Sequence, residues 1–464
     1  MLFPSNIFLF CFLPVVLVLY YGGCHILLRK NITAKNILLL IASLIFYAYG
    51  EGWFVLLLVV SMVMNYVFGL LIDRAEHQKK LFLILALLCN LGLLFVFKYL
   101  DFVLINCNRF FHTDFPLTKL KLPIGISFFT FQAVSYIADV YRGAAKVQKN
   151  PIKLGLYISL FPQLVAGPIV RYDAIEKQMD ERTETYPMFG DGVVRFIVGL
   201  GKKVLLADTM ALFAGRILTT ASVGNALSVS MAWLGAIAYT LQIYYDFSGY
   251  SDMAIGLGKM FGFTFMENFN YPYIAKSVSE FWRRWHISVA TWFRDYVYIP
   301  LGGNTNSWKT YRNIFIVWLL TGIWHGAGWT YIAWGMLYFV VLVFERLTGL
   351  GRTRKLPAVV AHIYTMFIVI IGMVIFMAPS LSIGMRYVGN MIGIGATGWL
   401  DSTTLFYLKD NWIFFILSVL FVTPIGKKLE KVSRLHQLLL GLVLILSIIY
   451  IIKGNYSPFI YFSF

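Results

Sequence analysis

Residues 314–344 read IFIVWLLTGIWHGAGWTYIAWGMLYFVVLVF, and this stretch decides the fold class. Two apolar runs, 314–323 and 329–344, lie on either side of the short sequence Trp324-His325-Gly326. Runs of this kind are typical of helices that cross or enter a bilayer, whose hydrocarbon core takes about 20 helical residues. A charged side chain at that depth costs roughly 2.5–3.5 kcal/mol, so ionisable residues there are seldom kept without a role. His325 is therefore the first candidate for chemistry.

The composition of the whole chain is that of an integral membrane protein. Of its 464 residues, 59% are hydrophobic and 13% are charged, whereas soluble domains have about 25% charged residues. Apolar runs recur along the chain and predict about ten to twelve transmembrane helices, with re-entrant and interfacial helices between them. The expected fold class is all-α and polytopic. Since no internal repeat or linker is visible, residues 1–464 are expected to form one membrane domain.

The formal net charge of +17 concerns membranes rather than nucleic acid in such a chain. Lysines and arginines collect in cytoplasmic loops and meet anionic lipid headgroups, so membrane lipids are the expected partners and nucleic acid is not. The first 28 residues contain neither residue type, and Arg29, Lys30 and Lys35 follow directly. This pattern predicts an N-terminus outside the cytoplasm. The first run has no basic segment before it and is long enough to span, which favours a transmembrane helix over a cleavable signal peptide.

Metal and cofactor sites find no support in the motifs. The four cysteines have irregular spacing and form neither a disulfide framework nor a CxxC pair. No HExxH sequence and no P-loop occurs. We therefore expect no metal and no bound cofactor.

The densest functional stretch is residues 279–295, SEFWRRWHISVATWFRD. Read at helical period, five residues form an apolar aromatic stripe that extends just past this stretch, with His286 beside it: Trp282, Trp285, Val289, Trp292 and Tyr296. One interpretation is an amphipathic helix at the cytoplasmic interface with its arginines at headgroups. The other is that Arg283 and Arg284 bind phosphate groups of an incoming carrier, while His286 faces a recess.

A second polar stretch, residues 244–252, reads YYDFSGYSD at the end of an apolar run. Asp246 and Asp252 could cap a helix end. Alternatively, they belong to a hydrogen-bonded shell that orients a catalytic group such as His325. Asn268 follows in a polar turn that could line the same cavity. With Trp324, these three residues are candidates for substrate binding.

Two further segments place proline and glycine inside apolar runs: LPIGISFFTFQ at 122–132 and FPQLVAGP at 161–168. Proline removes a helical hydrogen bond and breaks the helix. Such breaks mark re-entrant segments around binding sites in some transporters. They are equally compatible with simple packing kinks.

Taken together, these motifs resemble the membrane-bound O-acyltransferase (MBOAT) family, and within it the membrane subunit of bacterial alginate and peptidoglycan O-acetyltransferases. A lone Trp-His-Gly would be weak, but the ordered set is specific. It comprises Phe3-Pro-Ser-Asn-Ile-Phe-Leu-Phe10, Leu122-Pro-Ile-Gly-Ile-Ser-Phe128, Ala166-Gly-Pro168, Tyr245-Asp-Phe-Ser-Gly-Tyr-Ser-Asp-Met-Ala-Ile-Gly-Leu-Gly258, Met266-Glu-Asn-Phe-Asn270, Glu280-Phe-Trp-Arg-Arg-Trp-His-Ile-Ser288, Trp324-His-Gly326 and Ser457-Pro-Phe-Ile-Tyr-Phe462.

The resemblance implies helices around a tunnel or funnel, with His325 essential for acyl transfer and His286 lining the same path. It implies a multi-pass O-acetyltransferase of the bacterial cell membrane. The enzyme would take an acetyl group from a cytoplasmic thioester, with acetyl-CoA as the expected donor. The final acceptor would be a cell-surface polysaccharide, reached through a periplasmic or extracellular partner acetyltransferase. Two alternatives stay open: D-alanyl transfer to teichoic acid, and a transporter of glycans or small molecules.

Overall fold

The computed structural model describes residues 1–28, 30–305, 307–350, 356–429, 433–454 and 459–460. Within these ranges the regular secondary structure is helical and contains no strand, which confirms the all-α prediction. Arg29 and most of the tail 457–462, on which the orientation and the resemblance partly depend, lie outside the described residues.

The chain divides into two compact units, and the first comprises residues 1–196 and 250–266. Two π-helical segments, Phe8–Phe12 and Leu19–Leu27, lie on either side of α1. The α-helices of this part of the chain are α1 (Leu13–Val18), α2 (Ile32–Glu51), α3 (Val55–Arg74), α4 (Lys79–Lys98), α5 (Leu100–Phe111), α6 (Ile126–Arg142), α7 (Pro151–Ser159), α8 (Phe161–Leu164), α9 (Tyr172–Glu181) and α10 (Tyr186–Gly201).

The second unit comprises residues 197–249 and 267–464. Helix α10 ends within it, and the 32-residue helix α12 begins within it. Its π-helical segments are Lys202–Ala207 and Arg294–Tyr298. The remaining α-helices are α11 (Asp208–Ser222), α12 (Val229–Met260), α13 (Val278–Arg284), α14 (Ile287–Phe293), α15 (Lys309–His325), α16 (Trp329–Thr348), α17 (Ala358–Met377), α18 (Leu381–Met391), α19 (Ser402–Phe421), α20 (Ile425–Leu429) and α21 (Ser433–Ile452).

Seven segments of the described chain are long and apolar enough to cross a membrane. One of them, of 43 residues, holds both α2 and α3. Helices α6 and α15 have 17 residues each and are slightly shorter than these seven segments. The chain is therefore a multi-pass membrane protein, and the count of ten to twelve crossings stays a prediction. The segments are Phe8–Leu27, Ile32–Arg74, Lys79–Lys98, Trp329–Thr348, Ala358–Met377, Ser402–Phe421 and Arg434–Ile452.

The two proline- and glycine-containing segments of the first unit touch each other. Helix α6 begins only at Ile126, after Gly125, whose φ of +79° is left-handed and costs glycine little. A Cβ atom at position 125 would lie 3.0 Å from the carbonyl oxygen of Leu164. Glycine at this position therefore permits the close approach of two backbone segments.

Buried polar side chains of the first unit pair with one another. Asn65 on α3 and Asn90 on α4 exchange side-chain hydrogen bonds of 3.0 and 2.9 Å. Each amide nitrogen also donates to a carbonyl oxygen of its own helix. Elsewhere in this unit, Glu184 accepts hydrogen bonds from Lys35, at 2.8 Å, and from the Tyr20 hydroxyl. These groups meet their hydrogen-bonding needs inside the protein.

Candidate active site

Two helix faces of the second unit line a partly open cavity of about 120 Å³. His325 is the last residue of α15, and His286 immediately precedes α14. Both are buried, with exposed fractions of 6% and 3%. Because residues three or four apart share one face of a helix, each histidine lies in line with other residues lining the cavity. These are Val289, Ala290 and Phe293 on α14, and Val317, Trp318 and Thr321 on α15, with Trp282 and Trp285 completing the wall.

The prediction of one helical stripe through residues 279–295 is wrong, since the helix breaks at His286. Its backbone has φ 45° and ψ 53°, in the left-handed region that non-glycine residues rarely adopt. Two backbone hydrogen bonds to the segment 268–270 hold the break. The amide of Ile287 donates to Asn268, and the amide of Asn270 donates to Arg284, each at 2.9 Å. The break places His286 at the start of α14, facing the cavity.

Asn268 determines which nitrogen of His286 carries the proton. Its side-chain oxygen accepts the backbone N–H of Ser288 at 3.2 Å and the Ser288 hydroxyl at 2.9 Å. The backbone N–H can only donate, which identifies that atom as the amide oxygen. His286 Nδ1, 3.1 Å from the same oxygen, must therefore be the donor. In the neutral ring, Nε2 is then left with its lone pair.

The charge state of His286 follows from its burial. The residue lies outside the seven candidate membrane-spanning segments. Burial lowers its pKa well below the ordinary histidine value, and a positive charge on His325 would lower it further. His286 is therefore a neutral imidazole at physiological pH.

Aromatic rings surround the other histidine. Ring centroids of Trp324, Trp334 and Phe376 lie 4.8, 4.9 and 5.2 Å from that of His325, all in edge-on contact. A Cβ atom at Gly326 would come within 2.2 Å of the Tyr331 ring. This packing explains the glycine that follows His325 in the motif. The predicted residue Trp324 also lies 5.9 Å from His286, between centroids.

The two predicted carboxylates make ion pairs. Asp246 contacts Lys203 at 2.7 Å and accepts the backbone N–H of Ile460 at 2.6 Å. These described contacts do not go to His325. Asp252 belongs to the first unit, where it pairs with Arg195 at 2.7 Å. The residue after Asp246, Phe247, stacks edge-on against His286 at 4.5 Å, so this stretch supports the second histidine through its aromatic ring.

The two predicted arginines differ in their surroundings. Arg283 is exposed. Arg284 pairs with Glu280 at 2.8 Å and donates to the carbonyl oxygen of Asn270 at 3.1 Å. Helix α13 thus has one arginine in an internal contact and one available at the surface.

Several residues near the site were not among the sequence-based candidates. Thr321 and Trp318 precede His325 by four and seven residues, so helical spacing from the histidine could have identified both. Lys203 does not line the cavity, but it lies 2.7 Å from both Asp208 and the predicted residue Asp246; its only sequence signal is a lysine beside an apolar run. In the described part of the chain, no group of three or more histidine, cysteine or acidic side chains could hold a metal ion.

Comparison with known proteins identifies the family of this chain. The family model for MBOAT, the membrane-bound O-acyltransferase family, matches residues 41–387, which include both histidines. The chain is 45% identical over 405 residues to the probable alginate O-acetylase AlgI of Pseudomonas aeruginosa, covering 85% of this chain and 75% of that protein.

Two other relatives match over the full length of the chain. The probable alginate O-acetylase AlgI of Pseudomonas putida is 40% identical over 499 residues, covering 100% of both chains. The peptidoglycan O-acetyltransferase of Helicobacter pylori is 34% identical over 525 residues, covering 100% of this chain and 98% of that protein. The chain therefore belongs to the membrane-bound O-acyltransferase family and is an acyl-transferring membrane enzyme.

Proposed function

We propose that this enzyme moves an acetyl group from cytoplasmic acetyl-CoA across the bacterial cell membrane for O-acetylation of a cell-surface polysaccharide. The relatives named for alginate and for peptidoglycan both act on polysaccharides. The observation that carries the proposal for this chain is that two buried histidines, His286 and His325, line one cavity. In this arrangement two imidazoles can act on the same thioester and hydroxyl.

The reaction is a transfer between sulfur and oxygen. An acceptor hydroxyl attacks the thioester carbonyl carbon, a C–O bond forms and the C–S bond breaks. His325 takes the hydroxyl proton as general base and returns it to the departing thiolate, so that a thiol leaves. Formation of an acetyl-histidine at the same residue, followed by transfer to the hydroxyl, is the other route compatible with this placement.

His286 has a more restricted role than the sequence allowed. Stabilising negative charge on the thioester oxygen requires an N–H directed at that oxygen. The Nδ1–H of His286 is directed at Asn268, and Nε2 of the neutral ring can only accept. We therefore assign to His286 the task of orienting an O–H of the acceptor or an N–H of the donor.

The charges around the site fit a cytoplasmic donor. Exposed Arg283 follows Trp282, which lines the cavity, and an arginine there can bind a phosphate of the donor. Arg284 would steady this helix through Glu280. The orientation proposed from the lysines and arginines, with the N-terminus outside, directs transfer outwards. The immediate acceptor is a serine hydroxyl of an extracytoplasmic partner acetyltransferase.

The test follows a radiolabelled acetyl group. The protein is reconstituted in liposomes with labelled acetyl-CoA on one side, and candidate partner proteins and polysaccharides are placed on the other. Label on the partner or the glycan, dependent on the protein, is the expected result. Label that never leaves CoA, or efficient use of a D-alanyl thioester in its place, would contradict the proposal. Movement of an intact solute without thioester cleavage would identify a transporter.

A further inference from the structure

We propose that Glu345 on α16 is a positioning residue: by holding the start of α13, it sets where His286 stands relative to His325. This inference rests on the proposed function, because it assumes that the two histidines act on one thioester and one hydroxyl. It adds a residue that does not line the cavity but on which the placement of one cavity wall depends.

Glu345 lies in a place that is costly for a carboxylate. It belongs to helix α16, one of the candidate membrane-spanning segments, and its exposed fraction is 0%. It stands in the last turn of the helix, where the negative end of the helix dipole opposes a negative charge. Acidic residues in such segments are rarely kept without a role, and a buried one needs hydrogen-bond donors.

The donors come from the first two residues of α13. The backbone amide of Val278 donates to one carboxylate oxygen at 2.6 Å, and the amide and hydroxyl of Ser279 donate to the other at 2.9 and 2.6 Å. The first N–H groups of a helix have no acceptor within that helix, so Glu345 supplies what α13 lacks. Helix α13 has seven residues, and helices shorter than about 12 residues are not stable by themselves. Its position therefore depends on such contacts.

Helix α13 leads directly to the candidate site. Trp282 on this helix lines the cavity, and His286 follows two residues after the helix ends. The Trp282 ring contacts Tyr338 at 4.8 Å and Trp334 at 5.4 Å, between ring centroids. Those two residues precede Glu345 by seven and eleven positions and so share its face of α16. One face of α16 thus holds α13 through a ring contact and a carboxylate.

The same helix also holds His325. The ring of Trp334 lies 4.9 Å from that of His325, between centroids. Helices α15 and α16 approach closely, since a Cβ atom at Gly335 would lie 2.5 Å from the carbonyl oxygen of Trp318. Helix α15, which ends at His325, is therefore fixed on α16. Because α13 and α15 are both fixed on α16, that helix sets the separation of the two histidines.

Three substitutions test the contact, and a fourth is the matched control. Glu345→Gln keeps the shape but replaces one acceptor oxygen by an NH2 group, which only donates and so opposes a backbone N–H. Ser279→Ala removes one of the three hydrogen bonds, and Ser279→Thr keeps it. The control is Asp401→Asn in the same unit, where the Asp401 carboxylate accepts the Thr404 N–H at 2.7 Å and the hydroxyls of Thr404 and Ser228. None of these three residues lines the cavity.

The first measurement is acetyl transfer from acetyl-CoA in reconstituted protein, per folded molecule. Because a misplacement of about 1 Å can cost about 100-fold, kcat of Glu345→Gln should fall by about that factor. KM for acetyl-CoA should change less, since a misplaced histidine weakens the transition state rather than donor binding. Ser279→Ala should show a smaller loss of the same kind, and Ser279→Thr should retain activity. The double variant Glu345→Gln, Ser279→Ala should be no slower than Glu345→Gln, because both changes remove one shared interaction.

The second measurement is hydrogen–deuterium exchange, which does not rely on activity. Glu345→Gln should speed exchange in residues 278–285, because the amides at the start of α13 lose an acceptor and the short helix opens more often. Asp401→Asn should speed exchange at the start of α19 instead, with acetyl transfer per folded molecule unchanged.

The outcomes separate the positioning role from the proposed function. Normal kcat in Glu345→Gln would overturn the positioning role alone, and so would a loss of kcat without faster exchange in residues 278–285. An equal loss of kcat in Asp401→Asn would do the same, because it would show a general effect of removing a buried carboxylate. Failure of the unmodified protein to transfer an acetyl group would overturn the proposed function, and the positioning role with it.

Discussion

Two sets of buried polar side chains, one in the first unit and one in the second, differ in what they contact. In the first, Asn65 and Asn90 bind each other, and Glu184 binds Lys35. In the second, His286 and His325 line a cavity. Both arrangements place polar atoms where water is scarce, which is costly unless hydrogen bonds compensate. The closed pairs hold helices together, whereas the open pair can receive a substrate.

A buried polar residue in a membrane protein is thus informative only together with what it faces. Asn65 and His325 are both costly residues in apolar surroundings, and a functional reading of either is reasonable from sequence. The structure distinguishes them, because His325 lines a cavity whereas the fully buried Asn65 side chain is hydrogen-bonded to Asn90. Variants at the two kinds of site should accordingly affect different measurements.

The largest effect is expected from His325→Ala. Loss of a general base lowers rates by about 10²- to 10⁴-fold, so acetyl transfer should fall in that range. Thermal stability should also fall, because the ring packs against three aromatic side chains, so the loss of activity is judged per folded molecule. Transfer from labelled acetyl-CoA, normalised to folded protein, is the measurement. Transfer at the level of the unmodified protein would remove His325 from the reaction.

A smaller loss of activity is expected when the support of His286 is changed. Asn268→Ala removes the acceptor for Nδ1–H, and losing such a supporting group costs about 10- to 100-fold. A second variant, Asn268→Asp, tests this role through its pH dependence. If Asn268→Ala loses activity but the pH profile of Asn268→Asp does not change, the role of Asn268 in holding His286 is contradicted.

Asn268→Asp distinguishes positioning from packing. The new carboxylate favours the protonated imidazole and raises the pKa of His286. If activity requires the neutral ring, lowering the pH then protonates His286, and abolishes activity, at a higher pH than in the unmodified protein. The acidic limb of the kcat/KM profile should therefore move to higher pH, and activity should recover on the alkaline side. A purely structural role of Asn268 would leave that limb in place.

The smallest effect on acetyl transfer is expected from a substitution in the Asn65–Asn90 pair. Asn65→Ala leaves the side-chain oxygen of Asn90 without its donor, and an unsatisfied buried group costs about 1–3 kcal/mol. Thermal unfolding in lipid nanodiscs should show a lower midpoint, with acetyl transfer per folded molecule unchanged. The double variant Asn65→Leu, Asn90→Leu should regain most of the loss. Reduced turnover in properly folded Asn65→Ala would show that this pair is not merely structural.

Several features could be predicted from sequence because they depend on local pattern. The helical, multi-pass fold follows from apolar runs, since each run must satisfy its backbone hydrogen bonds internally in a bilayer. His325 could be recognised as a candidate functional residue from its apolar neighbours alone. His286 was found as part of a dense aromatic and basic segment, although the continuous helix predicted there is wrong.

Other features were not predictable because their causes lie elsewhere in the chain. The break at His286 depends on hydrogen bonds from residues 268–270, which no helical period within 279–295 reveals. Asp246 looked available for the site, but the structure pairs it with Lys203. Asn268, in contrast, was assigned to the cavity on weak grounds, and its oxygen contacts a cavity-lining histidine.

The sequence by itself determined that this chain is a helical membrane protein with a histidine in an apolar setting, because hydropathy acts on each segment independently. Only the tertiary structure decided that His286 and His325 face one small cavity, that Asn268 directs the lone pair of His286, and that the two carboxylates pair with Lys203 and Arg195. These outcomes depend on contacts between residues distant in sequence. Tertiary packing, rather than local composition, determines which buried polar groups bind each other and which line a cavity that a substrate can enter.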